Sequence, residues 1–116
     1  MELRPIPNVF KRFGYRYTLL QRTDNFVLYE IFGENLKLHK AMVYGYEIHK
    51  IRIRQPGTAI FKGKIINYPL REILASDEDF GYYGWAFRTL GKAQDYYDHQ
   101  LECDFNTPPR STSNLF

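Results

Sequence analysis

Gly14-Tyr15-Arg16-Tyr17-Thr18-Leu19-Leu20-Gln21-Arg22-Thr23-Asp24-Asn25-Phe26-Val27-Leu28-Tyr29-Glu30-Ile31-Phe32 is the stretch from which the fold is read. Tyr15, Tyr17 and Leu19 alternate with Arg16 and Thr18, the period of two expected of a half-buried strand. Thr23-Asp24-Asn25 then supplies turn chemistry, because Asp and Asn tolerate left-handed backbone and hydrogen-bond their own chain. Phe26 to Phe32 is rich in aromatic and branched residues and reads as the returning strand. Residues 14–32 are therefore a β-hairpin, and a hairpin needs further strands or a helix to bury its apolar face.

Working outward, Pro5 and Pro7 flank Ile6 and predict an extended N-terminal arm over residues 1–13. Beyond the hairpin, Leu36 to Ala41 fits neither period. A third strand runs from Met42 to Arg54. Tyr44, Tyr46 and Ile48 share one parity while Ile51 and Ile53 share the other, and a β-bulge near His49-Lys50 would restore a single apolar face. Gln55-Pro56-Gly57 is a turn, and Ala59 to Ile66 is a fourth strand or a small hairpin about Lys62-Gly63-Lys64. Ser76 before Asp77-Glu78-Asp79 marks a short helix start, with acids where the helix dipole favours them. Gly84 to Arg88 reads as extended. Thr89 caps a last helix in which Leu90, Ala93, Tyr97 and Leu101 recur at spacings of three and four. The expected fold is α+β: an antiparallel sheet of about four strands from residues 14–66, with the C-terminal helix packed on one face. A single domain over residues 14–103 is expected, and the Pro-broken polar stretch 104–116 reads as a flexible tail.

The chain has 116 residues, near the usual size of one domain. Its ten Tyr and nine Phe raise the aromatic share to 17%, so Tyr is the residue type to explain. No apolar run has the length of a membrane span, and Met1 to Gly14 lacks the apolar stretch of a secretory signal. With a single cysteine, Cys103, the expected setting is a reducing cytoplasm. The net charge of +3 hides an asymmetry: residues 1–71 hold 13 Lys/Arg against 5 Asp/Glu, and residues 72–116 hold 3 against 8. A basic part and an acidic part speak of partners or of internal attraction, not of a particular fold.

The order Gly45-Tyr46-Glu47-Ile48-His49-Lys50-Ile51-Arg52, Tyr68-Pro69-Leu70-Arg71-Glu72, then Ser76-Asp77-Glu78-Asp79-Phe80-Gly81 with Trp85 and Ala93, resembles a group of small uncharacterised proteins from bacteriophages and mobile elements of gut Bacteroidetes. The likeness spans about residues 14–102. It implies an accessory protein acting inside a bacterial cell, and it brings no activity or site residue with it.

Candidate chemistry is sparse. His49 and Glu47, two apart, project from one strand face, a pairing capable of acid–base work. No nucleophile or second acid stands in a recognisable relation to them, so a structural pair is the expected reading. His39, His49 and His99 match no familiar metal-ligand spacing. Asp77-Glu78-Asp79 is accounted for by helix-start chemistry, and Asp79-Phe80-Gly81 matches a kinase triplet by chance, without any other kinase signature. Cys103 reads as a buried or half-buried thiol without a neighbouring base. No cofactor motif, metal site or small-molecule substrate is expected.

A contact surface is the remaining reading. Lys50, Arg52 and Arg54 fall on one strand face, with Tyr44 and Tyr46 upstream and Lys62 and Lys64 close behind. The abundance of Tyr, Phe and Trp suits docking on a host or phage protein, as inhibitor or accessory factor, or self-association. The alternative is nucleic-acid binding, with basic side chains on phosphates and rings on bases.

Overall fold

The computed structural model describes residues 3–34, 36–37 and 40–106, the last three by backbone alone. Nine strands and one long helix occur in chain order. They are β1 (Val9–Arg12), β2 (Tyr15–Arg22), β3 (Phe26–Gly33), β4 (Val43–Lys50), β5 (Arg52–Arg54), β6 (Gly57–Phe61), β7 (Lys64–Tyr68), β8 (Arg71–Ile73), β9 (Gly84–Phe87) and α1 (Leu90–Asn106). An antiparallel sheet of five strands, ordered β1-β2-β3-β4-β9, forms the body, and α1 packs on it. The fold is thus α+β, a sheet with a C-terminal helix.

The hairpin read from residues 14–32 is β2 and β3, paired from Tyr15↔Gly33 to Arg22↔Val27. Its turn is held as the sequence predicts, with the Thr23 hydroxyl accepting from the Asn25 and Phe26 amides. Membership of the sheet differs from the expectation at both edges. Val9–Arg12, placed by the prolines in an extended arm, pairs with β2 as an edge strand, turned by Phe13 (φ 55°) and Gly14 (φ 81°). Positive φ at both central residues is the turn that matches strand twist, and a bulky Phe at the first of them hides it from the usual Asn-Gly signal. At the other edge Gly84–Phe87 pairs with β4, from Tyr46↔Phe87 to His49↔Gly84.

Both faces of the sheet are apolar, which explains why the parity of the third strand fails. Even-numbered Tyr46 and Ile48 join Phe26, Leu28, Ala93 and Tyr97 under the helix. Odd-numbered Ile51 joins Ile6, Tyr17, Val27 and Tyr29 on the opposite face. No bulge occurs at His49-Lys50; the register shift falls at Tyr44, since Ile31 pairs with Gly45 and Phe32 with Val43. This extra residue puts the Tyr44 ring over Gly33, where a Cβ would meet Tyr44 Cε2 at 2.4 Å, so only glycine fits. Each fully buried Val, Leu or Ile here stabilises the fold by about 1.5–3 kcal/mol.

The helix starts as expected, with the Lys92 amide donating to Thr89 Oγ1 at 3.3 Å. Ala93 and Tyr97 are buried, Tyr96 packs on Trp85 and Phe87, and Leu90, the first member of the expected stripe, is exposed. Residues 104–106, assigned to a tail by composition, continue the helix, and the rest of that expected tail, 107–116, lies outside the described residues. The short helix expected after Ser76 is one 3-10 turn, Asp77–Asp79.

The strand read as Met42–Arg54 leaves the sheet at Ile51, whose amide donates to the Asn25 carbonyl at 2.7 Å. From there the chain forms a two-stranded ribbon. Arg52↔Ile73 to Arg54↔Arg71 form its root, and Gly57↔Tyr68 to Phe61↔Lys64 form its outer part. Lys62 (φ 52°) and Gly63 (φ 76°) turn it in the same way as Phe13-Gly14. The hairpin about Lys62-Gly63-Lys64 is therefore present, but it lies outside the main sheet.

Candidate functional site

The seven residues expected to share a contact face are dispersed. Tyr46 lies under the helix, packed on the Ile48 side. Tyr44 stands on the opposite face, its ring edge-on to Tyr15 at 5.4 Å and its hydroxyl accepting from the Lys40 amide. Lys50 ends β4, and the chain then turns. Arg52 is held: its guanidinium donates to Asp79 Oδ2 at 2.6 Å and lies over the Tyr83 ring at 4.2 Å. The same Asp79 carboxylate accepts from the Ser76 amide and hydroxyl, and these bonds with that of Arg52 hold it below the usual carboxylate range. Arg54 at the root of the ribbon and Lys62 and Lys64 at its tip are exposed.

The ribbon carries two features that the expected set omits. Its outer part presents large apolar side chains to solvent: Ile60 is 77% exposed, its cross-strand neighbour Ile65 73%, and Phe61, on the other ribbon face, 60%. Lys62 reaches back over the Phe61 ring at 5.5 Å. At the root, Arg54 stands directly opposite Arg71, and Arg4 bridges to Arg71 from the far side. Like charges facing across strands repel, yet none of the three arginines has an ion pair among the described residues. Arg71 Nε is buried without a hydrogen-bond partner. The signal in the sequence for both features is the Lys62-Gly63 turn, because a two-residue turn fixes which residues face each other.

His49 and Glu47 do form the pair that their spacing predicts, at 3.0 Å between Nε2 and Oε1. The surroundings fix its character. His49 is buried and its Nδ1 accepts from the Ala75 amide at 3.1 Å, so Nε2 bears the ring proton and donates it to Glu47. Both ring nitrogens of His49 are thus held in hydrogen bonds. Tyr17 donates its phenol proton to the other carboxylate oxygen, Oε2, at 3.3 Å. Burial, with the Glu47 charge and hydrogen bond adding to it, pushes the Tyr17 phenol up to about 12.

His49 lies on the sheet face away from the helix, His99 lies on the helix, and His39 is outside the described residues. No group of three metal-ligating side chains occurs among the described residues. Cys103 is exposed, not buried, and its Sγ lies 3.6 Å from His99 Nε2, a neighbour one helical turn back that the sequence reading did not credit. No described helix is long and apolar enough to cross a membrane.

No family model matches the chain, and no curated protein or solved structure matches it either.

Proposed function

We propose that the protein is a non-enzymatic binding module, and that the ribbon of residues 52–73 is its contact element, docking on a protein partner. The observation that carries this reading is the exposure of Ile60, Phe61 and Ile65 on two strands that, among the described residues, pair only with each other. An isolated two-stranded hairpin is marginal in water, and apolar side chains held in solvent at its tip favour a partner that covers them. The resemblance to phage and mobile-element proteins agrees with a role inside a bacterial cell as inhibitor or accessory factor.

The second reading, nucleic-acid binding, rests on Arg4, Arg54 and Arg71 in register at the ribbon root, with Lys62 and Lys64 at the tip. A two-stranded ribbon fits a major groove, and arginines without a carboxylate favour phosphate.

One experiment separates the two. The full chain is immobilised and challenged with a bacterial lysate, with and without nuclease. Two variants are run beside it: I60S/F61S/I65S and R54E/R71E. A partner retained after nuclease and lost only with the first variant supports protein docking. Retention that disappears with nuclease and with the second variant, with affinity falling steeply in salt, supports nucleic acid and overturns the first reading.

A further inference from the structure

We propose that the sheet face away from the helix holds a second binding site, for an alkylammonium group, with Glu47 as its counter-charge. The site is a cleft of about 460 Å³ lined by Tyr15, Tyr17, Ile31, Tyr44, Glu47 and Ala86. It opens there because Ala86, paired across from Glu47, has a small side chain. Tyr46 and Phe87 border the cleft by backbone, their rings lying under the helix.

Two of the molecule's other sheltered carboxylates face a cation, while Glu30, half-buried in β3, has no ion pair among the described residues. Glu72, 7% exposed, takes both Arg22 nitrogens at 2.8 Å, and Asp79, 26% exposed, takes Arg52 at 2.6 Å. Glu47 is 13% exposed, as sheltered as these, yet its partners are the Tyr17 phenol and the His49 ring. The Ala75 amide occupies the other ring nitrogen of His49, so no cation compensates Glu47 among the described residues. A carboxylate withdrawn from water without a counter-ion carries a desolvation cost that an incoming cation recovers. Its two oxygens are fixed by the phenol and imidazole, so the site is preorganised. Tyr15, Tyr17 and Tyr44 supply ring surface of the kind that attracts organic cations.

An alkylammonium fits better than a bare metal ion, because one carboxylate and phenols make a poor oxygen cage. Arg88 at the rim repels a cation from the mouth and attracts any anionic group attached to it. The site stands apart from the ribbon, which leaves β4 at the opposite end from Tyr44 and Gly45, and does not depend on docking through the ribbon.

The test is a titration of the ¹⁵N-labelled full chain at constant ionic strength, followed through the amides of Gly45, Glu47 and Ala86. The probes are n-butylammonium chloride, sodium chloride and neutral n-butanol. Saturable shifts with butylammonium alone are expected, weakened about ten-fold or more in E47Q and abolished in A86L, whose larger side chain occupies the cleft. R88Q is expected to tighten binding by about two- to three-fold, since it removes one partly screened like charge. Nα-acetyl-lysine methylamide distinguishes the source: tighter binding than butylammonium supports a lysine side chain of a polypeptide, and weaker binding supports a free amine. Equal response to n-butanol or to sodium chloride, or unchanged affinity in A86L, overturns the proposal. In E47Q the amide oxygen still accepts from His49 and the amide nitrogen donates to the Tyr17 phenol oxygen, which turns its own proton away, and A86L alters an exposed position.

Discussion

The sheet body and the ribbon are built from the same kind of sequence and have opposite fates. Tyr15–Gly33 and Gly57–Tyr68 are both hairpins whose strands carry runs of apolar residues, Phe26 to Tyr29 in the first and Ala59 to Phe61 with Ile65-Ile66 in the second. The first is covered on both sides, by the helix below and by Ile6, Leu74 and Ala75 above, so Val27, Leu28 and Tyr29 are fully buried. In the second, two isoleucines and a phenylalanine face water. The difference lies in position and not in pattern. A strand's apolar residues make a core only where another element arrives to cover them, and nothing in the ribbon's own composition reports that none does.

The comparison predicts a large asymmetry in stability. Leu28→Ala opens a cavity beneath the helix and should cost about 3–5 kcal/mol. Ile60→Ala and Ile65→Ala should each cost under about 0.5 kcal/mol, as surface changes do. Urea unfolding monitored at Trp85, whose ring packs on α1, measures all three. A cost at Ile60 approaching that at Leu28 would mean that the ribbon packs on something in solution and would erase the contrast.

The buried face above the sheet should also set the alkaline limit of the fold. Burial raises the Tyr17 and Tyr29 phenols from 10.0 to about 12, and Tyr29 is anchored by its hydrogen bond to the Pro7 carbonyl at 2.6 Å. The unfolded chain gives up these protons near pH 10 while the folded chain keeps them. Their contribution is therefore complete below pH 10 and is lost as pH rises towards 12, by roughly 2–3 kcal/mol for each tyrosine. Tyr29→Phe should remove its share of that slope, read as a flatter dependence of the unfolding midpoint on pH above 10.

A similar contrast holds for charges. Glu72 joins the ribbon root to the body through its two bonds with Arg22, and it accepts from the Ile6 amide. The Arg22 hydrogen bond is the main reason that its carboxyl is held below 4.5. A lowered carboxylate contributes stability above its unfolded value, lost as pH falls through the folded one. Glu72→Gln should cost about 2 kcal/mol near neutral pH by leaving Arg22 without its counter-charge, and should flatten the acid limb below pH 4.5. On the ribbon surface, Arg54→Gln should raise stability by no more than a few tenths of a kcal/mol, since it removes a like charge facing Arg71.

The legibility of the molecule tracks the same division. The β2–β3 hairpin, the capped helix and the extended Gly84–Phe87 are local patterns, and they stand where their residues place them. The edge strand Val9–Arg12 was hidden because its turn places Phe13, a residue that resists left-handed backbone, ahead of Gly14. The contact face through Tyr44, Tyr46, Lys50, Arg52 and Arg54 depends on a strand continuing flat and in register, and the extra residue at Tyr44 and the turn at Ile51 both break it. Glu47 and His49 could be paired from spacing alone. A structural pair is also the expected reading, but the partner that buries it could not be found from spacing, since the Ala75 amide lies 26 residues away in sequence.

The smallest effect expected on global stability is also the one that most sharpens the comparison. Gly63 turns the ribbon at φ 76°, and a Cβ there would touch nothing within 4 Å. Gly63→Ala therefore introduces backbone strain alone, about 1 kcal/mol in the left-handed region. In the sheet body that strain would appear in the unfolding midpoint, because the body opens as a unit. The outer strands of the ribbon are paired only with each other among the described residues, so they are expected to open before the body does. The strain then shifts the ribbon's own opening and leaves the midpoint within error. Hydrogen exchange should show faster exchange for the paired amides of 58–67 with no change at Leu28 or Ile48, and partner retention should fall with it, because Ile60 and Ile65 act together only while the strands are paired. A drop in the global midpoint of the size seen for a core change would show that ribbon and body fold as one unit.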